Sequence, residues 1–183
     1  FGDAHPAFNL SQFASISLQL DWSDYRYLLN PANVYNATWR VANFTFTSGR
    51  TRVVLPSVGV HLRGATSRRL LKKSFSLKFN AFVKGQRLFD LKRANLKDSG
   101  YHSPVINQWA SEILRGLQMP CSRGSFATLS INGIFMGAYW LVCGAAACVS
   151  TFPLNDIFVR SRKTTMMFSW RRASRAAPAT CTR

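Results

Sequence analysis

The chain has 183 residues, 47% of them hydrophobic, and its 24 Lys and Arg against 7 Asp and Glu give a net charge of +17. This length and hydrophobic content allow one compact domain with a buried core, which excludes a wholly disordered chain. The excess of basic residues favours binding to polyanions, so a nucleotide, a nucleic acid and an anionic lipid are all possible ligands.

The first part of the chain predicts three strands and a short helix. Residues 15–20 alternate between apolar and polar as a strand does, and Ser23 is placed to cap a short helix that ends before Pro31. Residues 35–46 and 51–55 predict two strands joined by a Ser-Gly turn. These elements lead into an antiparallel sheet.

Residues 58–79, VGVHLRGATSRRLLKKSFSLKF, predict a strand, a polar turn and a second strand. This geometry suits a phosphate cradle. Gly64 lets backbone N–H groups approach an anion, the hydroxyls of Thr66 and Ser67 donate hydrogen bonds, and lysines of the second strand supply compact positive charge. A solvated basic hairpin without a ligand explains the same residues, so both interpretations stay open.

Further along, the sequence predicts a helix and a tight hairpin. Ser103 and Pro104 form the cap and first residue of the helix. Residues 126–131 and 135–142 flank an Asn-Gly pair, which is typical of a two-residue hairpin turn. The elements together predict one α+β unit, an antiparallel sheet with one main packing helix. The helix face expected to pack on the sheet consists of Ile106, Trp109, Ala110, Ile113, Leu114 and Leu117.

The cysteines, the sequons and one uncharged stretch bear on metal binding, secretion and membrane insertion. The four cysteines include no C-x-x-C pair and no His at ligand spacing, which argues against zinc. Sequons at Asn9, Asn36 and Asn43 suit a secreted protein. Residues 134–154 carry no charge and match a bilayer in length, but the Asn-Gly turn favours a hairpin, so a membrane span ranks lower.

Three sequence blocks follow one another along the chain. R-G-x-[ST]-S-R runs into K-K-S-F-x-L-K-F, F-x-L-K-x-x-N-L comes next, and L-x-I-N-G-x-x-x-G-x-Y-x-L follows the predicted helix. In these blocks the chain resembles the spore coat protein H (CotH) kinase family over about residues 15–160, the N-terminal part of the domain. The matching positions are Arg63, Gly64, Thr66, Ser67, Arg68, Lys72, Lys73, Ser74, Phe75, Leu77, Lys78, Phe79, Phe89, Leu91, Lys92, Asn95, Leu96, Leu129, Ile131, Asn132, Gly133, Gly137, Tyr139 and Leu141.

The resemblance implies the nucleotide-facing lobe of an atypical kinase fold, with ATP and Mg²⁺ as cofactors. It implies phosphoryl transfer to Ser or Thr of coat or secreted proteins, so that a nucleotide and a protein substrate are the expected partners. An extracellular, cell-surface or spore-surface location is expected with it. The candidate nucleotide contacts that the resemblance suggests are Arg63, Gly64, Thr66, Ser67, Lys72 and Lys73.

The chain also departs from the family pattern. Cys143 replaces a glutamate after the last strand, and Asn107 and Gln108 replace an Arg-Glu pair in the helix. The resemblance stops before residues 161–183, whose Arg, Ser, Ala and Thr predict a basic, disordered tail. Residues 1–160 are therefore predicted to be a partial kinase domain that is inactive alone, because the family's metal-binding carboxylates lie further downstream. A reading-frame slip and a paralogue that lost catalysis both explain these departures.

Other functions compete with the kinase interpretation. The first alternative is a non-catalytic spore-coat or cell-surface interaction protein, which the resemblance also permits. Nucleic-acid binding through residues 61–97 has the charge but little aromatic interleaving, and it ranks lower. Hydrolysis has no support, because His5, His61 and His102 stand apart from any matching nucleophile and acid.

Overall fold

Seven strands form a closed barrel in the computed structural model, which describes residues 5–98, 104–117, 119 and 121–143. The strands are β1 (Ala14–Leu20), β2 (Arg40–Ser48), β3 (Thr51–Arg63), β4 (Ser74–Lys78), β5 (Arg93–Lys97), β6 (Gly124–Ile131) and β7 (Ile134–Cys143). The helices are α1 (Trp22–Leu29) and α2 (Pro104–Gly116), with short 3-10 turns at Pro6–Phe8, Pro31–Asn33 and Thr66–Arg69.

The barrel closes through a parallel pair of strands. Its strands follow the order β1-β2-β3-β4-β5-β7-β6, and all neighbours are antiparallel except β6 and β1, which pair in parallel from Ala14↔Ala127 to Leu18↔Ile131. Asn132 fastens this closure, because its backbone N–H donates to the Leu18 carbonyl and its side-chain oxygen accepts from the Leu20 N–H, each at 2.8 Å. The predicted α+β unit, an antiparallel sheet covered by one main packing helix and resembling the nucleotide-facing lobe of an atypical kinase fold, is therefore wrong.

The apolar residues of the strands explain why no helix layer is needed. Side chains alternate across each strand, so one face of every strand is apolar. Closing the sheet turns all these faces inward, which buries them and leaves no open sheet edge. The interior is filled by Ile16, Leu18, Phe44, Phe46, Val58, Val60, Leu62, Phe75, Leu77, Leu96, Leu129, Tyr139 and Leu141.

Helix α2 turns its apolar stripe to solvent. Trp109 is 67% exposed and Ile113 is 64% exposed, so the prediction that this face packs on the sheet is wrong. The buried side of the helix is polar instead. Gln108 accepts a 3.2 Å hydrogen bond from the indole N–H of Trp140 on β7, and it donates to Glu112 at 2.7 Å. Because strand side chains fill the barrel interior, α2 contacts the outer surface of the barrel instead.

Several local predictions are confirmed, with shifted boundaries. The Asn132-Gly133 turn has φ values of 50° and 80° and joins β6 to β7, as the Asn-Gly pair predicted. Helix α1 is capped by Asp21, one residue before it begins, instead of by Ser23. The strand predicted over residues 35–46 begins at Arg40, and the two strands predicted over residues 51–63 are one strand, β3.

Three further predictions extend beyond Cys143. Among the described residues, no helix is both long and apolar enough to cross a membrane, and the first ten residues of the uncharged stretch form β7. The predicted tail at 161–183 and the domain boundary at residue 160 lie outside the described residues.

Candidate functional site

The loop between β3 and β4 holds the residues predicted to cradle a phosphate. Arg63 ends β3 and lies opposite Ser74, the first residue of β4. Gly64 follows with a φ of 108°, a conformation that side-chain-bearing residues rarely adopt. Thr66 and Ser67 begin the 3-10 turn Thr66–Arg69. The cradle residues predicted from the sequence therefore share one loop at the end of one hairpin.

The two lysines at the end of this loop are engaged by protein groups. The Lys72 amine donates to the Ala138 carbonyl at 2.7 Å, lies 3.3 Å from an Asp98 carboxylate oxygen and sits 4.6 Å from the centroid of the Tyr139 ring. The Lys73 amine donates to the Arg68 carbonyl at 2.6 Å. Both lysines precede β4, although the predicted strand included them. Lys72 thus fastens the loop to β7, and its contact with a phosphate stays a prediction.

A second group of polar residues lies on the outside of β3, β4 and β5. The strand alternation that turns Leu62, Leu77 and Leu96 inward turns their neighbours outward. The register aligns these neighbours in rows across the three strands, since Lys78 pairs with both Gly59 and Arg93, and Ser76 pairs with both His61 and Asn95. We call this surface the outer basic face, and it consists of His61, Arg63, Ser76, Lys78, Arg93, Asn95 and Lys97.

The cations of the outer basic face lack carboxylate partners among the described residues. Within the part of the chain that the structure describes, Arg63, Lys78, Arg93 and Lys97 form no ion pair with a carboxylate. Burial, aided by the charge of Arg63, lowers the pKa of Lys97. Burial also lowers the pKa of His61, and nearby arginines lower it further, against the opposing effect of its hydrogen bond to Leu62. Arg63 and Lys97 therefore repel each other, and a bound anion would relieve that repulsion.

Two tryptophans flank this face. The half-buried Trp39 lies just before β2, and its ring centroid is 4.1 Å from that of His61 and 6.0 Å from the cationic groups of both Lys78 and Arg93. At the other end of the face, the Lys97 amine lies 5.1 Å from the ring centroid of the buried Trp140. Trp39 lies outside the basic segment of residues 61–97, so the pattern of that segment does not reveal this aromatic flank.

Carboxylates suited to a metal ion do not cluster in the described part of the chain, where no three His, Cys, Asp or Glu side chains converge. Asp98 pairs with Lys72, and Glu112 bonds Gln108 and pairs with Arg115. Among the described residues, these carboxylates therefore supply no ligand set for Mg²⁺.

Family comparison covers the same region that geometry singles out. Residues 60–142 match the family model of the CotH kinase protein. The match begins inside β3, contains the β3–β4 loop, β4, β5, α2 and β6, and ends one residue before the end of β7. It confirms the resemblance to the CotH family over a partial segment of the kinase domain. A search of curated proteins finds no match to the chain.

Proposed function

We propose that this chain is the nucleotide-binding part of a CotH-type atypical kinase, with ATP as the ligand. The observation that carries the proposal is the outer basic face, where four cations that have no carboxylate partner among the described residues lie beside the glycine-containing β3–β4 loop. Unpaired cations that lie together are costly unless an anion joins them. The CotH match spans both the loop and the face.

The phosphates are held in this proposal by groups of different geometry. Arg63 offers a planar fork that binds two phosphate oxygens at once, and Lys97 adds a point charge in the same row. Gly64 leaves its N–H open to close approach by an anion. The proposed contacts are Arg63, Gly64, Thr66, Ser67, Lys72 and Lys73 from the sequence, together with Lys78, Arg93 and Lys97.

Phosphoryl transfer needs more than this chain's described residues supply. When bound, Mg²⁺ neutralises charge on the β- and γ-phosphates. Because the described carboxylates do not converge on a metal, we propose that the chain binds nucleotide but does not transfer phosphate by itself. In the intact family domain the acceptor would be Ser or Thr of a coat or secreted protein. The exposed sequon residues Asn9, Asn36 and Asn43 support an extracellular or spore-surface location.

Titration calorimetry with ATP and ADP, with and without Mg²⁺, tests the proposal. The double variant Arg63→Gln/Arg93→Gln is expected to bind ATP at least about tenfold more weakly, because each arginine lost removes charge-assisted hydrogen bonds. The matched control, Arg50→Gln/Arg52→Gln, changes two exposed arginines at the far end of β3 and is expected to stay within about twofold. The wild type binding neither nucleotide while circular dichroism shows it folded would refute nucleotide binding.

A second candidate function rests on helix α2. Its outward stripe of Ile106, Trp109, Ile113 and Leu117 is more apolar than a solvated helix face requires, which favours a non-catalytic coat or cell-surface interaction protein. Sedimentation velocity at low and high salt tests assembly through this stripe. Trp109→Ser/Ile113→Ser is expected to abolish association that strengthens with salt, since salt screens the net positive charge. A wild type that stays monomeric under both conditions argues against it.

A further inference from the structure

Trp39 lies on the outer side of β3, where its ring also meets that of His61. Its indole covers Gly59 on the outer side of β3, since a Cβ atom built on Gly59 would lie 3.0 Å from Cε3 and 3.3 Å from Cδ2 of the ring. A glycine at this point leaves the ring against the backbone, at the edge of the outer basic face. The ring is half-buried, so part of it stays open to solvent.

Cations surround this ring on the side of the neighbouring strands. Lys78 and Arg93 both approach to 6.0 Å from the ring centroid, and neither has a carboxylate partner among the described residues. An aromatic ring bordered by unpaired cations offers a surface for stacking next to a site for phosphate. Nucleotide bases stack on such rings whatever their identity, because every base has a π-face.

The spacing along the strands suits one extended nucleotide. Lys78 and Arg93 lie in the row of Gly59, and Arg63 lies four residues further along β3. At roughly 3.4 Å per residue the two rows are roughly 14 Å apart. That span is comparable to the reach of an extended nucleoside triphosphate from its base to its last phosphate. A base stacked on Trp39, in the row of Lys78 and Arg93, would direct its phosphates along β3 towards Arg63.

We infer that Trp39 is the base platform of this site and makes it prefer nucleoside triphosphates over bare polyphosphate. The inference rests on the proposed nucleotide function, and it adds a specificity residue from outside the segment that matches the CotH model. Stacking sets the preference, while the cations bind the phosphates of either ligand.

Calorimetry with ATP and with inorganic tripolyphosphate separates base stacking on Trp39 from phosphate binding by the cations. The wild type is expected to bind ATP about tenfold more tightly than tripolyphosphate, and Trp39→Leu to remove that preference while tripolyphosphate affinity stays within about twofold. Trp22→Leu is the control, because Trp22 is exposed on α1 and is expected to change neither affinity.

Each outcome has a distinct meaning. A wild type that binds both ligands equally overturns the role of Trp39, whether or not the variant folds, and leaves the phosphate site standing. A folded Trp39→Leu variant that keeps the full preference for ATP overturns it as well. A folded wild type that binds neither ligand refutes the proposed function itself, and the base platform with it.

Discussion

Phe44→Ala is expected to lower the free energy of unfolding by about 3–5 kcal/mol, the usual cost of removing a fully buried aromatic ring. Phe44 points from β2 into the closed barrel with no exposed surface, and its ring meets that of Phe79 edge to face at 5.2 Å between centroids. Phe44 belongs to the buried core inside the closed ring of hydrogen-bonded strands, so little can move inward to fill the resulting cavity. Urea denaturation followed by circular dichroism measures the loss.

Val54→Ala is the control for that experiment. Val54 lies on β3 but is 57% exposed, so its truncation is expected to cost less than about 0.5 kcal/mol. A closed barrel predicts that Phe44→Ala lowers the free energy of unfolding much more than Val54→Ala does. If both cost the same, the interior is not packed around Phe44, and the closed arrangement of the strands is contradicted.

Strands and turns were predictable because their signals are local. The alternation in residues 15–20, the Asn132-Gly133 turn and the start of α2 at Pro104 all depend on a few adjacent residues. Barrel closure was not predictable in this way. It depends on β1 pairing with β6, between Ala14 and Ala127, which are far apart in sequence and carry no pairing signal.

The wrong prediction for α2 has the same cause, since it depends on whether the sheet closes. An apolar stripe at helical spacing is ordinarily buried, and an open sheet would have needed it. Once the sheet closes, its own side chains fill the core, and α2 meets the barrel through Gln108 and Trp140 instead. The stripe is then free for another role, which the composition of the helix alone does not reveal.

Some residues of the candidate site were predictable from adjacent sequence, and others join it only through contacts between distant parts of the chain. The β3–β4 loop from Arg63 to Ser67 was predictable because glycine, hydroxyls and cations are adjacent there. Arg93 and Lys97 join the site through the pairing of β5 with β4, and Trp39 joins it by covering Gly59. These residues belong to separate parts of the sequence. The register of the strands and the fold of the barrel bring them together.

Gly59→Val is the second change with a large expected effect, because the position has no room for a side chain. A Cβ atom there would lie 2.6 Å from the Cβ of Ala81 as well as against the Trp39 ring. Crowding of this kind costs about 1–3 kcal/mol or more, since the backbone near Ala81 and the indole must both shift. Urea denaturation measures this cost. Gly116→Val is the matched control, since nothing lies within 4 Å of its added Cβ, and it is expected to be nearly neutral.

The same variant links the fold to ligand choice. If the indole is displaced from β3, Gly59→Val is expected to lose the preference for ATP over tripolyphosphate while it keeps affinity for tripolyphosphate, because Arg63, Lys78 and Arg93 are unchanged. Calorimetry on the folded variant, at a temperature well below its unfolding midpoint, measures both affinities. If a stable Gly59→Val protein retains the full ATP preference, the Trp39 ring does not need its contact with Gly59 to bind the base. Stacking on Trp39 would then have to be independent of the β3 backbone, contrary to the geometry from which it was inferred.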